Sequence, residues 1–193
     1  MNLLDCLSKE ELKNFKSVKV KKGHILFSEN DKCEYVGIVK KGTVQIISYT
    51  LSGQEILYNE IEEKGMFGNN LLFSSKPLYK GNVIAKSDSE ILLINEENLV
   101  KTLQNNAIFL KQYLLMQSDF SKKLNQTIKL LSIASADERL LFYIEENEPL
   151  FFDTVSSLAQ KLFLSREALS RTISKLIKAK RIYRNGNQLS LVK

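Results

Sequence analysis

The chain has 193 residues, 44% of them hydrophobic and 26% charged, which excludes a disordered chain and allows one large or two modest buried cores. No apolar run reaches the roughly 18 to 20 residues a membrane helix needs, and Asp5, Glu10 and Glu11 break the basic-then-apolar pattern of a secretory signal, so no membrane partner and a cytoplasmic location are expected. The net charge of +6 is unevenly held: from residue 150 onward nine basic residues stand against two acidic ones, leaving residues 1–149 at −1, the electrostatic footprint of a nucleic-acid-binding module at the C-terminal end.

Residues 3–16 carry apolar positions at Leu3, Leu4, Leu7, Leu12 and Phe15, with Ser8 placed to cap a helix ahead of Glu10 and Glu11. A short helical lead-in is expected there. Short apolar or alternating runs follow at 18–20, 24–27, 35–39, 43–49, 55–58, 83–85 and 90–94, separated by Gly23, Gly42, Gly53, Gly65, Gly68 and Gly81. β-Branched and aromatic residues dominate these runs, so the spacing predicts an antiparallel sandwich, barrel or jelly roll. Cys6, Cys33 and the single His24 are too few for a disulfide framework, an iron–sulfur cluster or a common zinc site. No metal site and no cofactor are identified from the sequence. A jelly-roll enzyme of the cupin type, the rival from another class, needs several histidines on neighbouring strands.

The order of these signals resembles the cyclic-nucleotide-binding β-roll of the Crp/Fnr superfamily of bacterial transcription regulators. The resemblance rests on Lys21-Lys22-Gly23 before Ile25-Leu26-Phe27, on Tyr35 to Val39 with Lys41-Gly42-Thr43-Val44, and on Gly65-Met66-Phe67-Gly68. It implies an effector pocket near Gly68, Asn69, Asn70, Leu71, Lys80 and Asn82. In the family's nucleotide binders a Glu follows the last of these glycines and an Arg grips the cyclic phosphate. Here Asn69 and Lys80-Gly81-Asn82 stand in the corresponding stretches, so the bidentate phosphate grip is lost and cyclic AMP is disfavoured. An unidentified small-molecule effector, or a degenerate sensor with constitutive output, remains.

From Asn95 the pattern becomes helical, with Asn95 as cap and Glu96 and Glu97 in the first turn. After a break at Asn105-Asn106, helix is expected across 107–147 with a bend at 132–135. Leu110, Gln117, Leu124 and Leu131 recur every seven residues, and Tyr113, Phe120 and Thr127 lie three after each of the first three. Leu114 and Ile128 widen this a/d stripe, which serves either as internal core or as a pairing seam; the resemblance favours the seam of a homodimer, with Gln117 setting its register.

Ser135 then caps a further helix, and Pro149 ends it ahead of Leu150-Phe151-Phe152, which reads as a strand. Thr154 and Ser165 cap two short helices whose inward residues are Val155, Leu158, Ala159, Leu162, then Leu169, Ile173, Leu176 and Ile177. This is a helix-turn-helix pattern. Arg166, Glu167, Ser170 and Arg171 share the outward face of the second helix, and Leu164 to Arg171 is similar to the recognition helix of Crp/Fnr regulators. The resemblance implies guanine contacts by Arg166 and Arg171, a cytosine contact by Glu167, and Ser170 in the same readout. Thr154, Ser165, Lys175, Lys178 and Arg184 are the candidates for phosphate contact. Phe163 stands where the turn usually has Gly, which predicts an uncommon positive φ. Around Asn185-Gly186 two alternating runs form a type I′ hairpin signal, completing a winged helix.

The expected fold is α+β: an antiparallel β-roll over 1–106, a dimerisation helix over 107–134 and a winged helix-turn-helix over 135–193. The expected partners are double-stranded DNA, a second copy of the chain and, by resemblance, RNA polymerase. No enzymatic activity is expected.

Overall fold

A computed structural model describes residues 2–53 and 55–192. The chain divides into two compact units, Met1–Asp119 and Phe120–Lys193, so the division falls inside the long helix and not at either of its ends.

In the first unit a single 3-10 turn, Leu3–Cys6, precedes α1 (Lys9–Leu12), and the strand β1 (Lys16–Val20) begins directly after. Ser8 caps α1 as expected, in a capping box with Glu11. The strands β2 (Ile25–Phe27), β3 (Tyr35–Lys41), β4 (Val44–Tyr49), β5 (Glu55–Ile61), β6 (Met66–Phe67), β7 (Asn82–Ala85) and β8 (Ser89–Asn95) follow. They form two four-stranded antiparallel sheets in the orders β1-β8-β3-β6 and β2-β7-β4-β5. β3 runs between β8 and β6, with Ile38 opposite both Leu92 and Met66. That central place explains why Val36 to Val39 are buried without alternation. Val44, Ile61 and Val83 from the second sheet share one core with Val36, Ile38, Val39 and Ile91 from the first.

α2 (Glu96–Asn105) is capped by Asn95 and adds Leu99 to this core. Asn106 separates it from α3 (Ala107–Ser132). Asn106 is also a tie, donating to the Cys6 carbonyl and the Glu11 carboxylate, both at 2.9 Å, while its own oxygen accepts from Phe109 N. Phe109, fully buried, and Tyr113, 5% exposed, place the first two turns of α3 in the core of the roll.

In the second unit the last turns of α3 lead to α4 (Ala136–Glu146), β9 (Leu150–Phe151), α5 (Val155–Lys161), α6 (Arg166–Lys178), β10 (Ile182–Asn185) and β11 (Gln188–Leu191). The three strands make an antiparallel sheet in the order β10-β11-β9, with Leu189 opposite Leu150. Leu140 and Ile144 of α4, Leu158, Ala159 and Leu162 of α5, Leu169, Ile173 and Leu176 of α6, and Ile182 and Leu189 of the hairpin enclose one apolar core. Ala159 is 2% exposed, as expected for a small residue where two helices approach closely. Each large apolar side chain buried here is worth about 1.5–3 kcal/mol. Leu169, Ile173 and Leu176, with Thr172, are therefore turned inward, and the opposite face of α6 is left exposed.

The hairpin differs from the expected type. Asn185 pairs with Gln188, leaving Gly186 and Asn187 as the two loop residues. Gly186 has φ +57, whereas Asn187 is not among the positive-φ residues. Those signs belong to a type II′ turn, which requires Gly at the first loop position, and not to type I′, which needs positive φ at both.

Candidate nucleic-acid interface

α5 and α6 are joined by Leu162, Phe163 and Leu164. Phe163 has φ +54, the left-handed conformation that the sequence predicted for it. Its N–H donates to the Gln160 carbonyl at 3.1 Å and that of Leu164 to the Ala159 carbonyl at 2.9 Å. This is the Schellman pattern, closed here by a phenylalanine in the place where glycine costs least. The Phe163 ring is half-exposed. Part of the compensation comes from Arg139 on α4, whose Nη1 donates to the carbonyls of Leu162 (3.1 Å) and Phe163 (3.3 Å). Sequence reading missed Arg139, because its partners are backbone carbonyls and leave no pattern of side chains.

Ser165 caps α6 by accepting from Ala168 N at 3.1 Å, and Thr154 caps α5 by accepting from Ser157 N at 3.0 Å. Both hydroxyls thus have structural work; Ser157 Oγ in turn accepts from Thr154 N. Arg166, Glu167, Ser170, Arg171 and Ser174 are all exposed on α6, opposite the buried Leu169, Thr172, Ile173 and Leu176. At 3.6 residues per turn they form one polar strip. Ser170, Arg171, Ser174, Lys175 and Lys178 line a single shallow depression along it.

The predicted phosphate group is altered in two places. Lys175 Nζ lies 2.5 Å from Asp137 Oδ2 on α4, so its charge is already answered within the chain. Arg184 donates from Nε to the Gly186 carbonyl at 2.7 Å and sits over the Phe152 ring at 5.4 Å. It serves the wing first and keeps only its remaining donors for a partner. Lys178 is exposed.

Three residues of the expected seam, Tyr113, Gln117 and Thr127, have partners within the chain. Tyr113, assigned to it, is buried in the roll core, stacked with Phe109. Gln117 faces Asn69: its Nε2 donates to the Asn69 carbonyl at 3.1 Å and its Oε1 accepts from the Asn69 amide. Thr127 Oγ1 donates to the Lys123 carbonyl. Leu110 (36%), Phe120 (38%), Leu124 (50%) and Leu131 (50%) of the expected seam are exposed, as are Leu114 (54%) and Ile128 (57%), which widen it, and Ile108 (60%) and Leu115 (51%) elsewhere on the helix. The helix is apolar on two faces, one turned to its own core.

Some of the residues proposed for an effector also have partners within the chain. Gly68 has φ +76, and a Cβ there would meet the Tyr35 carbonyl oxygen at 2.6 Å, so glycine is required. Asn69 is 7% exposed and bonded to Gln117, with the Tyr113 hydroxyl 3.5 Å from its carbonyl. Asn82 Oδ1 accepts from Glu29 N at 3.0 Å, and Glu29 accepts from Ser48 Oγ at 2.8 Å. Leu71 is half-buried, and Asn70 and Lys80 are exposed. The Asn69 amide nitrogen and the Asn82 amide oxygen are thus engaged within the chain. Cys33 lies beside this region, its thiol against the Gly68 carbonyl, and burial pushes its pKa up. Burial likewise pushes the Tyr79 phenol far above its usual range.

Among the described residues no group of three or more His, Cys, Asp or Glu is placed to hold a metal ion, and no helix is long and apolar enough to cross a membrane.

A glycine-punctuated double-sheet roll, a long helix and a winged helix-turn-helix with a polar outer strip define the architecture of the chain. Residues 17–106 match the cyclic nucleotide-binding domain family. An anaerobic regulatory protein of Bacillus subtilis is 24% identical over 58% of this chain and 47% of its own length; the match spans under half of that relative. A transcriptional regulator from Thermotoga maritima is similar in structure at a TM-score of 0.60 and 26% identity, over 64% of this chain and 96% of that one. A CooA mutant from Carboxydothermus hydrogenoformans superposes at a TM-score of 0.70 and 20% identity, over 100% of this chain and 92% of that one. With this domain in its first unit and a winged helix-turn-helix in its second, the chain is similar in fold to the Crp/Fnr-type transcription regulators that its sequence resembles.

Proposed function

We propose that this regulator binds a pseudo-palindromic DNA operator as a homodimer. The observation that carries the reading is the outer strip of α6, where Arg166, Glu167, Ser170 and Arg171 are all exposed beside one another while the opposite face is buried. A helix presented in this way fits the major groove, where arginine reads guanine and glutamate reads cytosine. Lys178, with the residual donors of Arg184, would meet phosphate and fix the helix in register. Ser165 and Thr154 would contribute backbone N–H groups near their caps more than free hydroxyls.

The exposed stripe Leu110, Leu114, Leu124, Ile128 and Leu131 supports pairing through α3, since apolar side chains repeated at that spacing gain by covering one another. Two readers related by a two-fold axis then match half-sites about one helical turn, roughly 34 Å, apart. RNA polymerase is the partner of such a regulator at a promoter, the cytoplasm is its compartment, and regulation, not catalysis, is its activity.

A second reading concerns the input. The hydrogen bonds between Asn69 and Gln117, and from Glu29 N to Asn82 Oδ1, support an output that needs no cyclic nucleotide, because a ligand there must first break bonds already made. The test is selection of binding sites from random DNA by the purified chain, with and without cell extract. A symmetric consensus in both arms is expected. A pool with no two-fold symmetry would refute the operator reading, and a consensus that appears only with extract would refute constitutive output.

A further inference from the structure

The guanidinium of Arg139, the fourth residue of α4, is spent on backbone carbonyls at two places. Its Nε and Nη2 both donate to the carbonyl of Ile133, at 3.1 and 2.6 Å. Its Nη1 donates to Leu162 and Phe163 at 3.1 and 3.3 Å. Ile133 lies in the link between α3 and α4, where a helix end leaves carbonyls without intrahelical partners. Leu162 and Phe163 form the turn that aims α6. One planar side chain therefore joins the end of α3 to the turn of the reader.

The last turns of α3 are held in the second unit by Leu130, 4% exposed in its core, by Lys129 over the Phe142 ring at 4.3 Å, and by Gln126 bonded to Glu146 at 3.2 Å. The other side of those turns carries the exposed Leu124, Ile128 and Leu131. Apolar packing such as that of Leu130 sets a distance but little direction. A guanidinium fork fixes an angle, because its donors are planar and rigid, and a lysine could satisfy only one end of the bridge.

We propose that Arg139 is the positioning residue that sets the pose of α6 against the end of α3, and through that pose the half-site spacing a dimer accepts. The inference rests on the operator reading above. Without the bridge, α6 still carries its base-reading strip, but the two copies present it over a wider range of separations.

The test uses the full chain and a series of operators that differ only by base pairs inserted into or deleted from the centre. The wild-type chain is expected to prefer one spacing sharply. In Arg139→Gln the ratio of affinities between the best and the next spacing falls by about threefold or more, with Arg139→Lys between the two. Simple destabilisation removes active molecules equally for every operator and leaves that ratio untouched. An unchanged ratio in Arg139→Gln with native circular dichroism overturns the proposal. Should that variant fail to fold, the same ratio is measured in Phe163→Gly and Phe163→Gly/Arg139→Gln, where glycine removes the strain of the turn; again an unchanged ratio overturns it. A wild-type chain that binds every spacing alike sinks the operator reading and this proposal together, a result distinct from a sharp wild-type profile preserved in the variants.

Discussion

Replacing Phe163 by Gly and, separately, by Ala isolates the backbone of the helix-turn-helix turn. Both substitutions remove the half-exposed ring, so its packing cancels between them. What differs is the left-handed conformation at φ +54. An L-residue there costs roughly 1–2 kcal/mol, and the greater freedom of glycine in the unfolded chain offsets about 0.5–1 kcal/mol of that. Glycine is therefore expected to be the more stable of the pair by about 0.5–1 kcal/mol, the reverse of the order in a helix interior, where alanine wins by about 1 kcal/mol. In thermal unfolding followed at 222 nm, each 1 kcal/mol corresponds to about 2–4 °C for a chain of this size. Alanine equal to or above glycine would mean that residue 163 does not hold the left-handed conformation, and the bond pattern assigned to the turn would fall with it.

Arg166→Ala and Arg171→Ala should each cost about 1–3 kcal/mol on a selected operator and far less on random DNA in a gel-shift titration; equal losses on both would mark them as phosphate contacts. Leu124→Glu or Ile128→Glu should give monomers in sedimentation, while Tyr113→Phe leaves the dimer intact because Tyr113 belongs to the roll core. A persistent dimer in both charged variants would place the interface elsewhere. A double-mutant cycle of Asn69→Ala and Gln117→Ala should show a coupling of about 0.5–3 kcal/mol in urea unfolding; additive losses would dissolve the pair. In the folded chain near neutral pH, Cys33 should resist alkylation and Cys6 react first, since Cys33 is 1% exposed and Cys6 only half-buried, while burial raises the pKa of both thiols. Early modification of Cys33 would contradict its burial.

Much of the fold was legible because its signals are local. Glycine-bounded runs of β-branched residues located seven of the eight strands of the roll; β6 escaped because two residues, Met66 and Phe67, carry no period. The caps at Ser8, Asn95, Ser135, Thr154 and Ser165 were readable since capping depends on a side chain and the few residues after it. The inward turn of Tyr113 on α3 was not. Leu110 and Tyr113 are equally apolar in sequence, and only the packed roll decides that one stays outside and the other enters the core. The same limit applies to Lys175 and Arg184. Their positive charges were plain, but Asp137 and Phe152, which occupy them, come from other elements. For the turn, the exceptional residue was visible at Phe163 and its support at Arg139 was not.

α5 and α6 end in the same way. After Ala179, Lys180 takes φ +54 and donates to the Ile177 carbonyl, while Arg181 N donates to the Leu176 carbonyl, repeating at the exit the arrangement found before the entry. The segment is thus bounded by two backbone reversals, each tied by hydrogen bonds to the helix it terminates. An inserted or deleted residue between them cannot be absorbed by letting an end fray or slide; it must rotate everything beyond it by about 100°. Substitution on the outer strip is then a tolerable route to new operators, whereas a change of length within residues 166–178 turns the strip away from its partner altogether.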